Sequence, residues 1–151
     1  MNRKSVRARR SGCPISLALE IFGDTWSLLI VRDLMFKGFR TFNELLGSDE
    51  GIASNVLTDR LAMLEAAGVI DKREHAADAR RYEYRLTKKG IDLAPVIVEI
   101  VLWSARYEQT DAPPQIVRAM STQRAKFLAD IRKGWESIQY RALPNARKIV
   151  P

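Results

Sequence analysis

The chain has 151 residues, with 25 Lys and Arg against 18 Asp and Glu, a formal charge of +7, one Cys and one His. A chain this long buries roughly 70% of its unfolded surface, so one domain can form without disulfides or a structural metal. Cys13 and His75 stand far apart in a sequence without glycine-rich phosphate loops, which argues against a zinc site, a Ser-His-Asp or Cys-His hydrolase and a nucleotide cofactor.

Residues 1–12 form a basic arm with Arg3, Lys4, Arg7, Arg9 and Arg10 and no acid. The apolar stretch from Ile15 to Phe22 is broken by Glu20 and followed by no small-residue cleavage site, and the richest apolar stretch, Val96 to Trp103, contains Glu99. Neither reads as a secretory signal or a membrane span, so a cytoplasmic protein with no membrane partner is expected. Pro14 suits the first position of a short helix carrying Ile15, Ala18, Leu19 and Phe22 and ended by Gly23. Asp24 then caps a second helix. Its residues Trp26, Leu28, Leu29, Ile30, Val31, Leu34 and Met35 are apolar nearly all round, as in a buried helix running to Lys37 and Gly38. Thr41 and Glu44 have capping-box spacing and predict a short helix over Phe42 to Leu46. A turn over 47–51 leads to a helix from about Ala53 to Ala67, closed by Gly68.

Beyond Gly68 the period changes. Tyr82, Tyr84 and Leu86 alternate with Arg81, Glu83 and Arg85, as in a half-buried strand, with Val69 to Glu74 as partner and Ala76 to Arg80 as the connecting loop. An isolated hairpin is marginal, so this one must lean on the helices. Thr87 can cap a helix that carries the apolar stretch from Ile91 to Trp103 and bends at Pro95. After a break at Asp111 to Pro114, one amphipathic helix is predicted over 113–138, as part of the same fold, and a loose tail over 139–151.

The expected fold is therefore mainly α with a small two-stranded β wing, a winged helix-turn-helix with additional C-terminal helices. In such a fold one helix enters the major groove and the wing touches the backbone. At about 100° per residue, the helix from Ala53 to Ala67 gathers Val56, Leu57, Leu61 and Leu64 on one side and Ser54, Asn55, Thr58 and Ala62 on the other. The polar side is short-chained and uncharged, which suits close approach to base edges, although an ordinary solvent face has the same composition. Phosphate contacts must come from elsewhere: Arg80 and Arg81 on the wing, Lys72 and Arg73 beside it, and the helix start at Thr41. Arg60 falls on the apolar side and is expected to be structural, paired with a carboxylate such as Glu44 or Asp33. His75 reads as a wing or surface residue. Cys13 precedes Pro14 at a helix N-terminus and follows five cations, which favours a reactive thiolate; the alternative is a small apolar filler. Ile15, Leu19, Ile97, Val101 and Trp103 carry more apolar surface than a small domain covers and point to a homodimer. A winged-helix module that binds protein without sequence-specific DNA affinity is the alternative, and an enzyme is disfavoured.

The order of the motifs resembles the HxlR family of bacterial winged helix-turn-helix transcription regulators. The matching pieces are Cys13-Pro14, Ile21 to Trp26, Arg40 to Leu45, Leu57 to Leu61, Leu64 to Ile70, Tyr82 to Gly90 and Trp103, so that the similarity spans Cys13 to about Tyr107. The resemblance implies DNA binding and dimerisation within 13–107, on an inverted repeat of double-stranded DNA, as a repressor or activator. It also implies that Cys13 matches a cysteine through which some members sense electrophiles or oxidants. Ala79-Arg80 stands where the family often has a proline pair, Asp49-Glu50 adds acid to the turn, and the C-terminal helix is longer than in compact members, where it is expected to add dimer surface.

Overall fold

The computed structural model describes residues 9–140. Helix α1 (Pro14–Phe22) starts at a proline, whose missing N–H is an unpaired donor in any first turn, and ends at Gly23, whose N–H donates to the Leu19 carbonyl at 2.8 Å. Asp24 sits in a 78° bend before the next helix, its Oδ1 accepting from the Trp26 and Ser27 amides at 2.8 and 2.9 Å. Helix α2 (Ser27–Arg32) runs on into a π-helical turn (Asp33–Lys37) and stops at Gly38, whose φ of 69° is left-handed. Helix α3 (Phe42–Leu46) has the predicted capping box between Thr41 and Glu44. Helix α4 (Ser54–Ala66) closes with Gly68 at φ 72°, the Gly68 and Val69 amides donating back to the Glu65 and Leu64 carbonyls, both at 2.9 Å. This paired closure needs a left-handed residue, and glycine adopts that conformation without strain.

Strands β1 (Ile70–His75) and β2 (Asp78–Leu86) pair antiparallel, from Ile70 opposite Leu86 to His75 opposite Asp78. Helices α5 (Lys88–Ile91), α6 (Ala94–Tyr107), α7 (Pro114–Thr122) and α8 (Arg124–Tyr140) follow. The core is built from Ile30, Val31 and Leu34, Leu45, Leu57, Leu61 and Leu64, the hairpin foot of Ile70, Tyr84 and Leu86, and Ile91 and Ile97. The fold is the expected winged helix-turn-helix, α1 to α4 followed by the wing. Among the described residues no single helix is long and apolar enough to cross a membrane.

Four local expectations change. The hairpin connection is Ala76-Ala77 rather than Ala76 to Arg80. His75 Nδ1 accepts from the Ala77 amide at 3.1 Å and Asp78 from the Arg80 amide at 3.0 Å, which tightens the turn and puts Arg80 on the strand. Tyr82 is exposed, because only the foot of the hairpin reaches the core. Pro95 does not bend a long helix: the chain breaks at Asp92-Leu93, and Pro95 sits in the first turn of α6, where no N–H is needed. The C-terminal segment is two helices, separated at Gln123, whose φ of −125° leaves the helical region. The second runs to Tyr140, and the rest of the tail expected over 139–151 lies outside the described residues, as do residues 1–8 of the basic arm.

Candidate nucleic-acid interface

The α4 helix presents two unlike sides. Leu57, Leu61 and Leu64 are buried, whereas Ser54, Asn55, Thr58 and Ala62 are exposed with Asp59 and Glu65 flanking them. The Thr58 hydroxyl donates to the Ser54 carbonyl at 2.9 Å, which fixes its rotamer and leaves its lone pairs outward. Among the described residues no cation lies on this surface, so its chemistry is that of short donors and acceptors.

The cations stand on the hairpin. The Arg80 and Arg81 side chains are 93% and 76% exposed and share Asp78, at 3.4 and 3.9 Å. Such open ion pairs hold weakly and exchange readily for another anion. Lys72 lies over the Tyr82 ring at 4.1 Å from its centroid, and Arg73 meets Asp71 at 3.4 Å. His75 Nε2 is 3.4 Å from Glu83, below the tip. The Thr41 hydroxyl is occupied by Glu44, whose backbone N–H it accepts at 3.3 Å, so any anion contact here falls to the backbone of the first turn of α3.

Three acids anchor the helix-turn-helix. Arg60 is half-buried, and the carboxylate it meets is Asp24, at 3.5 Å, not Glu44. Glu44 is turned back on its own helix start, accepting from the Arg40 and Thr41 amides at 2.8 and 3.0 Å. Burial alone would raise the Asp24 carboxyl. Hydrogen bonds from the Ser27 hydroxyl and the Trp26 and Ser27 amides, with the Arg60 charge, outweigh it and hold Asp24 below the usual range. Asp33 is buried at the end of α2 and accepts from Ser48 Oγ at 2.7 Å and Arg32 Nε at 2.8 Å, with Lys37 Nζ at 3.4 Å. Arg32 also reaches Glu50 at 2.7 Å, so one of the two acids in the turn before α4 is neutralised. Lys89 donates to the Ala67 carbonyl at 2.7 Å and so closes the C-terminus of α4.

On α1 and α6 apolar side chains lie open to solvent. Ile15 is 71% exposed, and Leu19 is exposed beside it on α1. On α6, Val96, Ile100, Trp103 and Tyr107 recur at spacings of four, three and four residues and face outward, with Trp103 61% exposed. Val101 is half-buried against the core. Ile97, expected from its sequence to lie at the dimer interface, is 6% exposed and belongs to the core, because it points about 120° round α6 from Trp103. Cys13 is exposed at the N-cap of α1, its own N–H donating to Ser11 Oγ at 3.2 Å. Among the described residues no group of three or more His, Cys, Asp or Glu is placed to hold a metal ion.

Sequence reasoning missed Asp24 as the partner of Arg60, the Asp33–Ser48 bond, and Lys89. Each joins segments far apart in the chain, and none carries a local signature.

Known proteins agree with this architecture. The HxlR-like helix-turn-helix family profile matches residues 21–112. An HTH-type transcriptional regulator of Mycobacterium tuberculosis is 38% identical over 107 residues, which cover 70% of this chain and 66% of the relative, just under two thirds of its length. The crystal structure of PA1607, a candidate transcription factor, superposes with a TM-score of 0.62 at 37% identity, covering 70% of this chain and 72% of that one. The redox regulator HypR in its oxidised form superposes with a TM-score of 0.55 at 27% identity, over 65% of this chain and 100% of that one. With the family profile spanning more than half of its length, this chain belongs to the HxlR-like helix-turn-helix family, whose members are transcriptional regulators and not enzymes.

Proposed function

We propose that the protein is a dimeric, sequence-specific DNA-binding transcriptional regulator that reads an inverted repeat with α4 and holds the backbone with its wing. The observation that carries this reading is the exposed, uncharged polar surface of α4 set beside a hairpin whose arginines are open to solvent. In this arrangement Asn55 hydrogen-bonds an adenine edge, Ser54 and Thr58 meet neighbouring bases, and Ala62 permits close approach. Arg80, Arg81, Lys72 and Arg73, with the start of α3 at Thr41, neutralise phosphates and so position the helix without specifying sequence. The exposed apolar residues of α1 and α6 form the dimer contact, which sets two half-sites about 10 base pairs apart. Cys13, exposed on α1 next to this contact, is the site at which an electrophile or oxidant changes the dimer and hence the spacing of the reading helices. HypR, a redox regulator of related fold, supports that assignment.

Selection of bound sequences from a random duplex pool tests the whole reading. A recovered palindrome is the expected result; recovery without sequence preference refutes it. Asn55→Ala should relax base preference by about 1–3 kcal/mol in each half-site. Arg81→Ala should weaken binding to all sequences and flatten the salt dependence by roughly one unit for each phosphate left unneutralised.

A further inference from the structure

We propose that α8 is a brace for the wing, with Trp135 as its positioning residue; this rests on the reading that α4 and the hairpin bind DNA together. Helix α8 lies outside the part of the chain that the family profile matches. Rather than standing free, it is fastened at both ends. At its start Arg124 forms an ion pair with Glu99 of α6, and at its middle Arg132 pairs with Asp92 between α5 and α6. Just before its second half and within it, Ile131 and Trp135 pack against the core. There the indole Nε1–H of Trp135 donates to the carbonyl of Leu86, the last residue of β2, at 2.8 Å, and Arg85 Nη1 donates to the Ile138 carbonyl at 3.4 Å.

These bonds fall where the wing is rooted. On an antiparallel strand the N–H and C=O of every second residue face the same side, so Tyr84 and Leu86 both face away from β1. The Tyr84 N–H donates to the Arg40 carbonyl at 2.7 Å, and the Leu86 carbonyl accepts from Trp135. The outer edge at the hairpin foot is thus held from two directions, by the segment before α3 and by α8. Everything above Tyr84 stands clear of the core. Arg81 lies five residues from Leu86, about 17 Å along the strand. A tilt of about 6° at the foot therefore moves the arginines by about 2 Å, several times the range of distances over which a hydrogen bond keeps its strength. A two-stranded hairpin has no stiffness of its own sufficient to suppress such tilts. The brace supplies it, and it links the wing to α6, the helix with the exposed apolar surface.

The test compares the full chain with its Trp135→Phe variant, which keeps an aromatic ring and loses the N–H. Amide hydrogen exchange without DNA is read at the hairpin, residues 72–84, and at Val31 and Leu34 in the central helix. The expected result is exchange about 2- to 12-fold faster in the hairpin, the range of one lost hydrogen bond, with Val31 and Leu34 unchanged. Trp135→Ala should act in the same direction and more strongly. Unchanged hairpin exchange overturns the proposal, and so does equal acceleration at every site, which marks Trp135 as a general stability residue. In binding assays Trp135→Phe should lower affinity for preferred and random duplexes by the same factor, with base preference intact; a changed preference overturns the positioning role. Failure of the unsubstituted protein to prefer any sequence refutes the functional reading, while the exchange comparison still decides whether α8 braces the hairpin.

Discussion

Replacing Asp33 by Ala should loosen the turn between α3 and α4. The carboxylate is 3% exposed and receives Ser48 Oγ at 2.7 Å, Arg32 Nε at 2.8 Å and Lys37 Nζ at 3.4 Å. Removing it strands the buried Ser48 hydroxyl, at about 1–3 kcal/mol. Breaking a fully buried ion pair costs about 3–5 kcal/mol, but the Arg32 and Lys37 side chains are 27% and 32% exposed and partly rehydrate, and Arg32 keeps Glu50. The sum comes to about 3 kcal/mol, and for a chain of this size a loss of 1 kcal/mol lowers Tm by about 3–4 °C, giving a drop of about 10 °C. Ser48→Ala alone should cost about 1–2 kcal/mol. Calorimetry of both single variants and the double variant closes a thermodynamic cycle. If Asp33 bolts the turn through Ser48, the double variant is little less stable than Asp33→Ala. Simple additivity of the two losses refutes the reasoning.

Gly90→Ala should destabilise by about 2–3 kcal/mol, because a Cβ there would stand 2.2 Å from the Val69 carbonyl oxygen and 3.0 Å from Leu86; an unchanged urea midpoint contradicts this. Asp24 is held below its ordinary value of 3.8, so its contribution is complete above that pH and is lost as pH falls through the lower folded-state value. The stability gap between the unsubstituted protein and Asp24→Asn should accordingly be constant from pH 5 to 7, roughly, and shrink below about pH 4; a gap that grows on acidification reverses the assignment. For Cys13, mild diamide or quinone treatment should change operator affinity, and Cys13→Ser should abolish the response; unchanged affinity after confirmed modification makes it a structural residue. Trp103→Glu should yield a folded monomer by light scattering at micromolar concentration, and a persistent dimer would move the interface off α6.

Most of the architecture could be read from local chemistry. The capping box at Thr41 and Glu44, the left-handed closure at Gly68 and the Thr87 cap each depend on residues within a few positions, and each stands where the pattern put it. Patterns failed where the deciding interaction is distant or weakly encoded. Gln123 breaks the C-terminal helix without being Gly or Pro, so periodicity ran straight through it. Arg60 selects Asp24, 36 positions away, because the loop between α1 and α2 comes up to α4 in space, whereas Glu44, nearer in sequence, is consumed by its own helix start. Ile97 and Trp103 share one apolar stretch, and only the packing of α6 separates core from surface. The polar side of α4 was legible residue by residue, since an amphipathic helix closed by Gly68 has one way to face the core.

The division of α4 has a consequence for how such proteins diversify. Ser54, Asn55, Thr58 and Ala62 are exposed, while the leucines opposite carry the core. Exchanges at exposed positions of this kind change stability by only about 0.5 kcal/mol or less. The helix can therefore accumulate variation on one side with folding left intact. After gene duplication, two copies could drift apart in recognition through single viable steps, each intermediate being a stable protein, while the wing and the scaffold are inherited unchanged.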